Sequence, residues 1–187
     1  MRILLAALAG AVAMFVWTAI AHMMTPLAYT GFSKMANEPA ALAAMTTDNV
    51  STKPGLYIFP WTDPKDPKAM EKYQALAKTN PTGMLLYRPA GDDFGSNMAP
   101  MMIKEFLKQL LQALIAAWIV SMIAASFIKR VGIVTAIGLS AGVATNISYW
   151  NWYGFPLSYT LAQITLELVS AIVAGLAIAA VLRRKTA

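Results

Sequence analysis

The sequence has no cysteine. That removes disulfide staples, thiolate metal centres and thiol nucleophiles, and leaves the redox compartment unstated. Histidine occurs once, at His22, so paired haem ligation is out of reach. Charge is scarce: 13% of residues are Asp, Glu, Lys or Arg while 58% are hydrophobic, well outside globular usage. No GxSxG, HExxH or P-loop pattern occurs. Lys78 with Arg88-Pro89 has the residue types that open a lipid-phosphatase signature, but the spacing is wrong and the histidines are missing. The chain therefore reads as a non-enzyme, with no cofactor and no metal.

What is present is apolar length. Residues 3–24, 105–128, 131–150 and 157–182 form four hydrophobic stretches, each near the ~20 residues that cross a bilayer as a helix. The basic residues at one set of their ends are Arg2, Lys129, Arg130, Arg183, Arg184 and Lys185, with no acid among them; together they equal the net charge of +6. The excess is an orientation signal, not a nucleic-acid surface. The expected fold class is an all-α membrane protein: four transmembrane helices, a small α+β periplasmic domain at 25–104, and a cytoplasmic tail at 183–187. The positive-inside rule is expected to put both termini inside, and the charged 25–104 loop does not contradict this because long loops translocate largely regardless of their charge. The first stretch has a rival reading as a cleaved signal peptide, with a small-x-small site at Ala19-Ile20-Ala21. Its spanning length and Trp17 favour a retained helix. Cleavage would leave three spans.

Between the third and fourth stretches, Tyr149-Trp150-Asn151-Trp152-Tyr153-Gly154-Phe155-Pro156 is aromatic and uncharged. Trp150, Trp152 and Tyr153 suit the headgroup level. In the loop, Met35–Met45 reads as a short helix; Gly55–Trp61 and Gly83–Pro89 read as strands. Asp66-Pro67 opens a helix at Lys68–Lys78, with Met70, Tyr73 and Ala77 on one face. The expected product is a strand–helix–strand cap on the bilayer surface. Asp63-Pro64-Lys65-Asp66 and Gly91-Asp92-Asp93-Phe94-Gly95 lack the alternating carboxylates of a calcium loop and read as solvated turns.

Polar residues inside the apolar stretches are the candidate site. Glu167 is the one charge deep within a span, where a carboxylate costs ~2.5 kcal/mol or more and so should face protein or water. Gln163, Glu167, Ala171, Gly175 and Ala179 repeat every four residues. Gly138, Gly142 and Asn146 form a matching small-and-polar stripe, so Gly138, Gly142, Ala171 and Gly175 are the expected helix-packing residues. Counting inward at ~1.5 Å per residue puts Asn146 and Gln163 at one depth and Glu167 a turn deeper. Gln109, Gln112, Thr18 and His22 approach from the same side, giving an outward-facing pocket with Glu167 at its floor. The plainer reading is hydrogen-bonding glue between helices, with Glu167 uncharged. His22-Met23-Met24 and Asn97-Met98-Ala99-Pro100-Met101-Met102 have the residue types of a Cu(I) site. Methionine is also common at lipid-facing positions, and the chain has 12, so no metal is expected.

Met14-Phe15-Val16-Trp17, His22-Met23, Pro26-Leu27, Glu38-Pro39, Gly55-Leu56-Tyr57-Ile58-Phe59-Pro60 and Pro81–Gly91 together resemble a family of small uncharacterised bacterial inner-membrane proteins. The resemblance covers roughly the first half of the chain. It implies a bacterial inner membrane and a periplasmic loop, and no chemistry. The expected role is an accessory or interaction subunit of an inner-membrane complex, with the lipid bilayer and other membrane subunits or a second copy as partners. The alternative is a small transporter or sensor that uses the pocket around Glu167.

Overall fold

Small residues decide how the long helices meet. The computed structural model describes residues 1–46 and 48–183; Arg184 and Lys185 lie outside them. The helices are α1 (Arg2–Met24), α2 (Glu38–Ala44), α3 (Ala69–Ala77), α4 (Met98–Ser121), α5 (Phe127–Tyr153) and α6 (Leu157–Val181). Among the described residues there are two strands, β1 (Gly55–Phe59) and β2 (Gly83–Tyr87). The chain divides into a helical unit, Met1–Phe32 with Gly95–Ala187, and a second unit, Ser33–Phe94.

In the helical unit α1, α4, α5 and α6 pack side by side. Ala6, Ala7 and Ala11 of α1, Ala113, Ala116 and Ala117 of α4, and Ala174 and Ile178 of α6 form one buried cluster with Met14, Val120 and Val134. Side chains this small bring backbones close and gain dispersion along the whole contact. α5 meets α6 through glycine. A Cβ at Gly138 would stand 2.3 Å from Ala171 Cβ, one at Gly142 3.1 Å from Glu167 Cβ, and one at Gly175 3.1 Å from the Val131 carbonyl oxygen. Gly154 ends α5 in the left-handed region at φ 70, which satisfies the helix terminus without a Cβ penalty. Gly31 needs both φ 90 and space, since its Cβ would lie 2.5 Å from that of Tyr159. This seats Phe32 edge-on against Tyr159 at 5.6 Å.

The four-span expectation is corrected here. Among the described residues three helices are long and apolar enough to cross a membrane: α1, α5 and α6. The stretch 105–128 does not form one span. Its helix starts earlier, at Met98 after the Asn97 cap, and stops at Ser121. Lys104, Glu105 and Lys108 sit inside it. The uncharged part after Lys108 is roughly 20 Å long at ~1.5 Å per residue, short of the ~30 Å hydrocarbon core. Residues 122–126 are not helical, and α5 begins at Phe127 rather than at 131, where Ser126 accepts from the Lys129 N–H. The aromatic connection is also largely helical: Trp150, Trp152 and Tyr153 lie on the last turn of α5.

In the second unit β1 and β2 pair antiparallel, Gly55 opposite Tyr87 and Phe59 opposite Gly83. Tyr87 is the buried side chain among the unit's described residues, and its hydroxyl donates to the Met45 carbonyl at 3.1 Å. α2 is capped by Asn37 and admits Pro39 in its first turn, where no N–H is needed. Asp66 accepts from the Lys68 N–H at 2.9 Å and pairs with Lys72. The Lys72 ammonium first, and the Lys68 amide second, hold the Asp66 carboxyl below its ordinary value.

Candidate functional site

A cleft of about 650 Å³ opens between α1, α4 and α6. Its walls follow from helix register. α1 and α4 run antiparallel: Phe15 meets Phe106 edge-on at 5.7 Å, and Thr18 Oγ1 accepts from Gln109 Nε2 at 2.9 Å. α1 and α6 are also antiparallel, pinned where Trp17 Nε1 donates to the Leu166 carbonyl at 3.1 Å. Of the charges that disqualify α4 as a span, Glu105 and Lys108 line this cleft, and Gln109 and Gln112 line it with them.

Gln109 is the hub of the polar wall. It is 1% exposed. Its Nε2 donates to Thr18 Oγ1 and, at 2.8 Å, to Glu105 Oε1, which also takes Lys108 Nζ at 2.8 Å. Among the described residues its own Oε1 is buried without a partner, and so is Oε1 of Gln112 one turn on. A buried amide oxygen left unpaired costs about 1–3 kcal/mol. His22 stands one turn beyond Thr18 and ties its Nδ1 to the Thr18 carbonyl at 2.9 Å.

Glu167 enters from α6, half-buried, and makes no hydrogen bond or ion pair among the described residues. Gln163, one turn earlier on α6, is also without a hydrogen bond there. Glu167, Gln112 and Met14 line a second, smaller cavity of about 140 Å³ as well, walled otherwise by Ala113, Ala116, Gly138, Ala171 and Ala174 among others. These three side chains are thus the shared wall between a polar cleft and an apolar hollow.

Of the residues singled out from sequence, Glu167, Gln163, Gln112, Gln109, Thr18 and His22 line the one cleft. Asn146 does not. Its Nδ2 turns back to the Gly142 carbonyl of its own helix at 2.8 Å, on the α5 side of Glu167. Gly138, Gly142, Ala171 and Gly175 sit at the α5–α6 contact inside the chain. Trp150, Trp152 and Tyr153 are exposed, while Tyr149, stacked on Phe155 at 5.3 Å, does the packing nearby. Asp63, Asp66 and Asp92 use carboxylate oxygens on the backbone N–H groups of Lys65, Lys68 and Phe94. No three His, Asp or Glu side chains gather among the described residues.

Sequence reasoning missed Met14 and Trp17. Both read as ordinary apolar residues of α1, and only the rotation of that helix places them in the cleft. It also took Arg130 as an orientation signal alone. Arg130 Nη1 donates to the Leu182 carbonyl at 2.6 Å, capping α6 where its dipole is negative. Arg183 lies over the Phe127 ring at 5.3 Å. No family model, curated protein or solved structure matches the chain, so the site is read from its own geometry.

Proposed function

We propose that the protein is a non-enzymatic component of a bacterial inner membrane that holds a small cationic or donor-rich solute in the cleft, as a sensor or carrier. One observation carries this reading. Gln109, Gln112 and Glu167 line one cleft, and among the described residues neither glutamine Oε1 nor the Glu167 carboxylate is supplied with a donor. A solute that brings N–H groups and positive charge completes all three and relieves the cost of an unpaired carboxylate in an apolar helix. Arg130 bonds the Leu182 carbonyl at the end of α6, and Ile3 and Leu182 pack against one cluster, which gathers basic residues at the end of the helical unit opposite His22 and the mouth of the cleft.

The test is thermal unfolding of the detergent-purified chain against a panel of amines and monovalent and divalent cations. A solute at about 100 times its Kd stabilises by ~2.7 kcal/mol. At least one cationic solute should raise the midpoint in the wild type and leave Glu167→Gln unmoved. A panel that treats both proteins alike removes the reading.

A second reading, an accessory subunit that binds another membrane helix, is favoured by the outward face of α5. Gly132, Ala136, Ser140, Ala144 and Ser148 repeat every four residues and are all exposed, the spacing at which small residues admit a neighbouring helix. Ala136→Leu with Ser140→Leu should abolish partner co-purification and leave solute binding intact. Co-purification that survives both changes sinks it.

A further inference from the structure

We propose that the mouth of the cleft is a soft-metal site that takes Cu(I), or its stable mimic Ag(I), on His22 Nε2 and the thioethers of Met23, Met98, Met101 and Met102. It uses none of the groups on which the solute reading depends, so either can fail alone.

Register brings the ligands together. Along the antiparallel α1–α4 pair, Gly10 faces Ala113, Phe15 faces Phe106 and Thr18 bonds Gln109. Continuing that ladder past Thr18 sets His22 and Met23, at the end of α1, level with the first turns of α4, where Met98, Met101 and Met102 stand. All five line the same cleft. These methionines share it with Thr18, Lys108 and Gln109, and Met23, Met98 and Met102 are exposed, so the thioethers are open to an arriving ion.

The histidine is prepared. A peptide carbonyl only accepts, so the 2.9 Å contact of His22 Nδ1 with the Thr18 carbonyl puts the proton on Nδ1. The lone pair is left on Nε2. That is the arrangement in which ligating imidazoles are held, the second nitrogen tied to a carbonyl that fixes tautomer and ring.

The donor set selects the ion. Thioether and imidazole are neutral and soft, which suits Cu(I) and disfavours Ca²⁺, Mg²⁺ or Mn²⁺. The one carboxylate at the mouth, Glu105, is occupied by Lys108 and Gln109. Without cysteine, and with no cluster of three His, Asp or Glu among the described residues, a zinc site is not formed either. A monovalent ion on neutral ligands carries little charge into the site.

The experiment is a Cu(I) competition against bicinchoninate with the full chain in detergent, repeated with Ag(I). One equivalent should leave the chromophore. Met101→Leu with Met102→Leu, near-isosteric and so expected to fold, should weaken binding by no less than the roughly ten-fold that even losing an outer-shell partner costs. Met70→Leu, in the second unit, should bind as the wild type does. X-ray absorption at the copper edge should show sulfur scatterers and one nitrogen, the nitrogen lost in His22→Phe. Copper left on bicinchoninate, or bound equally by the double variant, overturns the site. Loss of copper in Glu167→Gln also overturns it, because the metal would then sit at the cleft floor.

Discussion

The two helix pairs of the helical unit are closed by opposite means. α5 and α6 meet where side chains are missing, at Gly138, Gly142 and Gly175, and the space a Cβ would take there is filled by Ala171 Cβ, Glu167 Cβ and the Val131 backbone. α1 and α4 meet through alanine at one end and through Thr18, Gln109 and Glu105 at the other, and there a cleft remains. Close approach excludes water and ligand alike. Polar pairs hold helices at hydrogen-bond distance and keep acceptors in reserve. Glu167 stands between the two: its Cβ is what a side chain at Gly142 would meet, and it lines the cleft.

The sharpest way to break this contrast is to add bulk at the tight pair. Gly138→Leu should cost about 3 kcal/mol or more, since overpacking alone costs 1–3 and the blocking atom is an alanine Cβ that cannot swing away. A thermal midpoint equal to the wild type's would mean that α5 and α6 are not so close. Next, Gln109→Ala should cost about 1–3 kcal/mol, because it removes a bond to a carboxylate from a buried position. If it proves neutral, the polar wall is not what holds α1 to α4. Glu167→Gln should not lower stability, since it removes an unpaired carboxylate from an apolar helix, while abolishing the response to the solute that fills the cleft floor and leaving Cu(I) and Ag(I) binding intact; a large loss of stability would make the residue a packing element of α5–α6 instead.

The smallest effect lies outside both pairs. The Asp66 carboxyl is held below its ordinary 3.8, so its contribution is present above that pH and is lost as pH falls through the lowered value. An NMR titration should find the midpoint below 3.8, and Lys72→Met should move it back upward. Neither helix pair should register that change.

Much of the helical unit was legible as apolar length, and the limits of that signal are physical. α1, α5 and α6 are long and continuous. Hydropathy carried the second stretch through residues 122–126, where the helix has already ended, and placed its start after Asn97, whose side chain in fact caps it. The Ser126 cap was an available sign that α5 begins at Phe127. In the site, residue type marked Glu167 and the glutamines, because polar groups are conspicuous among apolar ones. It did not mark Met14 or Trp17, which are apolar among apolar. Asn146 shows what spacing leaves open: depth was countable, but the choice between a neighbouring helix and its own Gly142 carbonyl was not. The small residues at Gly132, Ala136 and Ser140 went unremarked because two stripes on one helix cannot be ranked without knowing which is already covered.

The wall shared by the cleft and the inner hollow has a kinetic meaning. It consists of Met14, Gln112 and Glu167, all unbranched and all with several freely turning bonds, and it contains no aromatic or β-branched member. If the two hollows exchange contents, the motion with the lowest barrier is rotation of these three side chains, not the microsecond-to-millisecond shift of a helix.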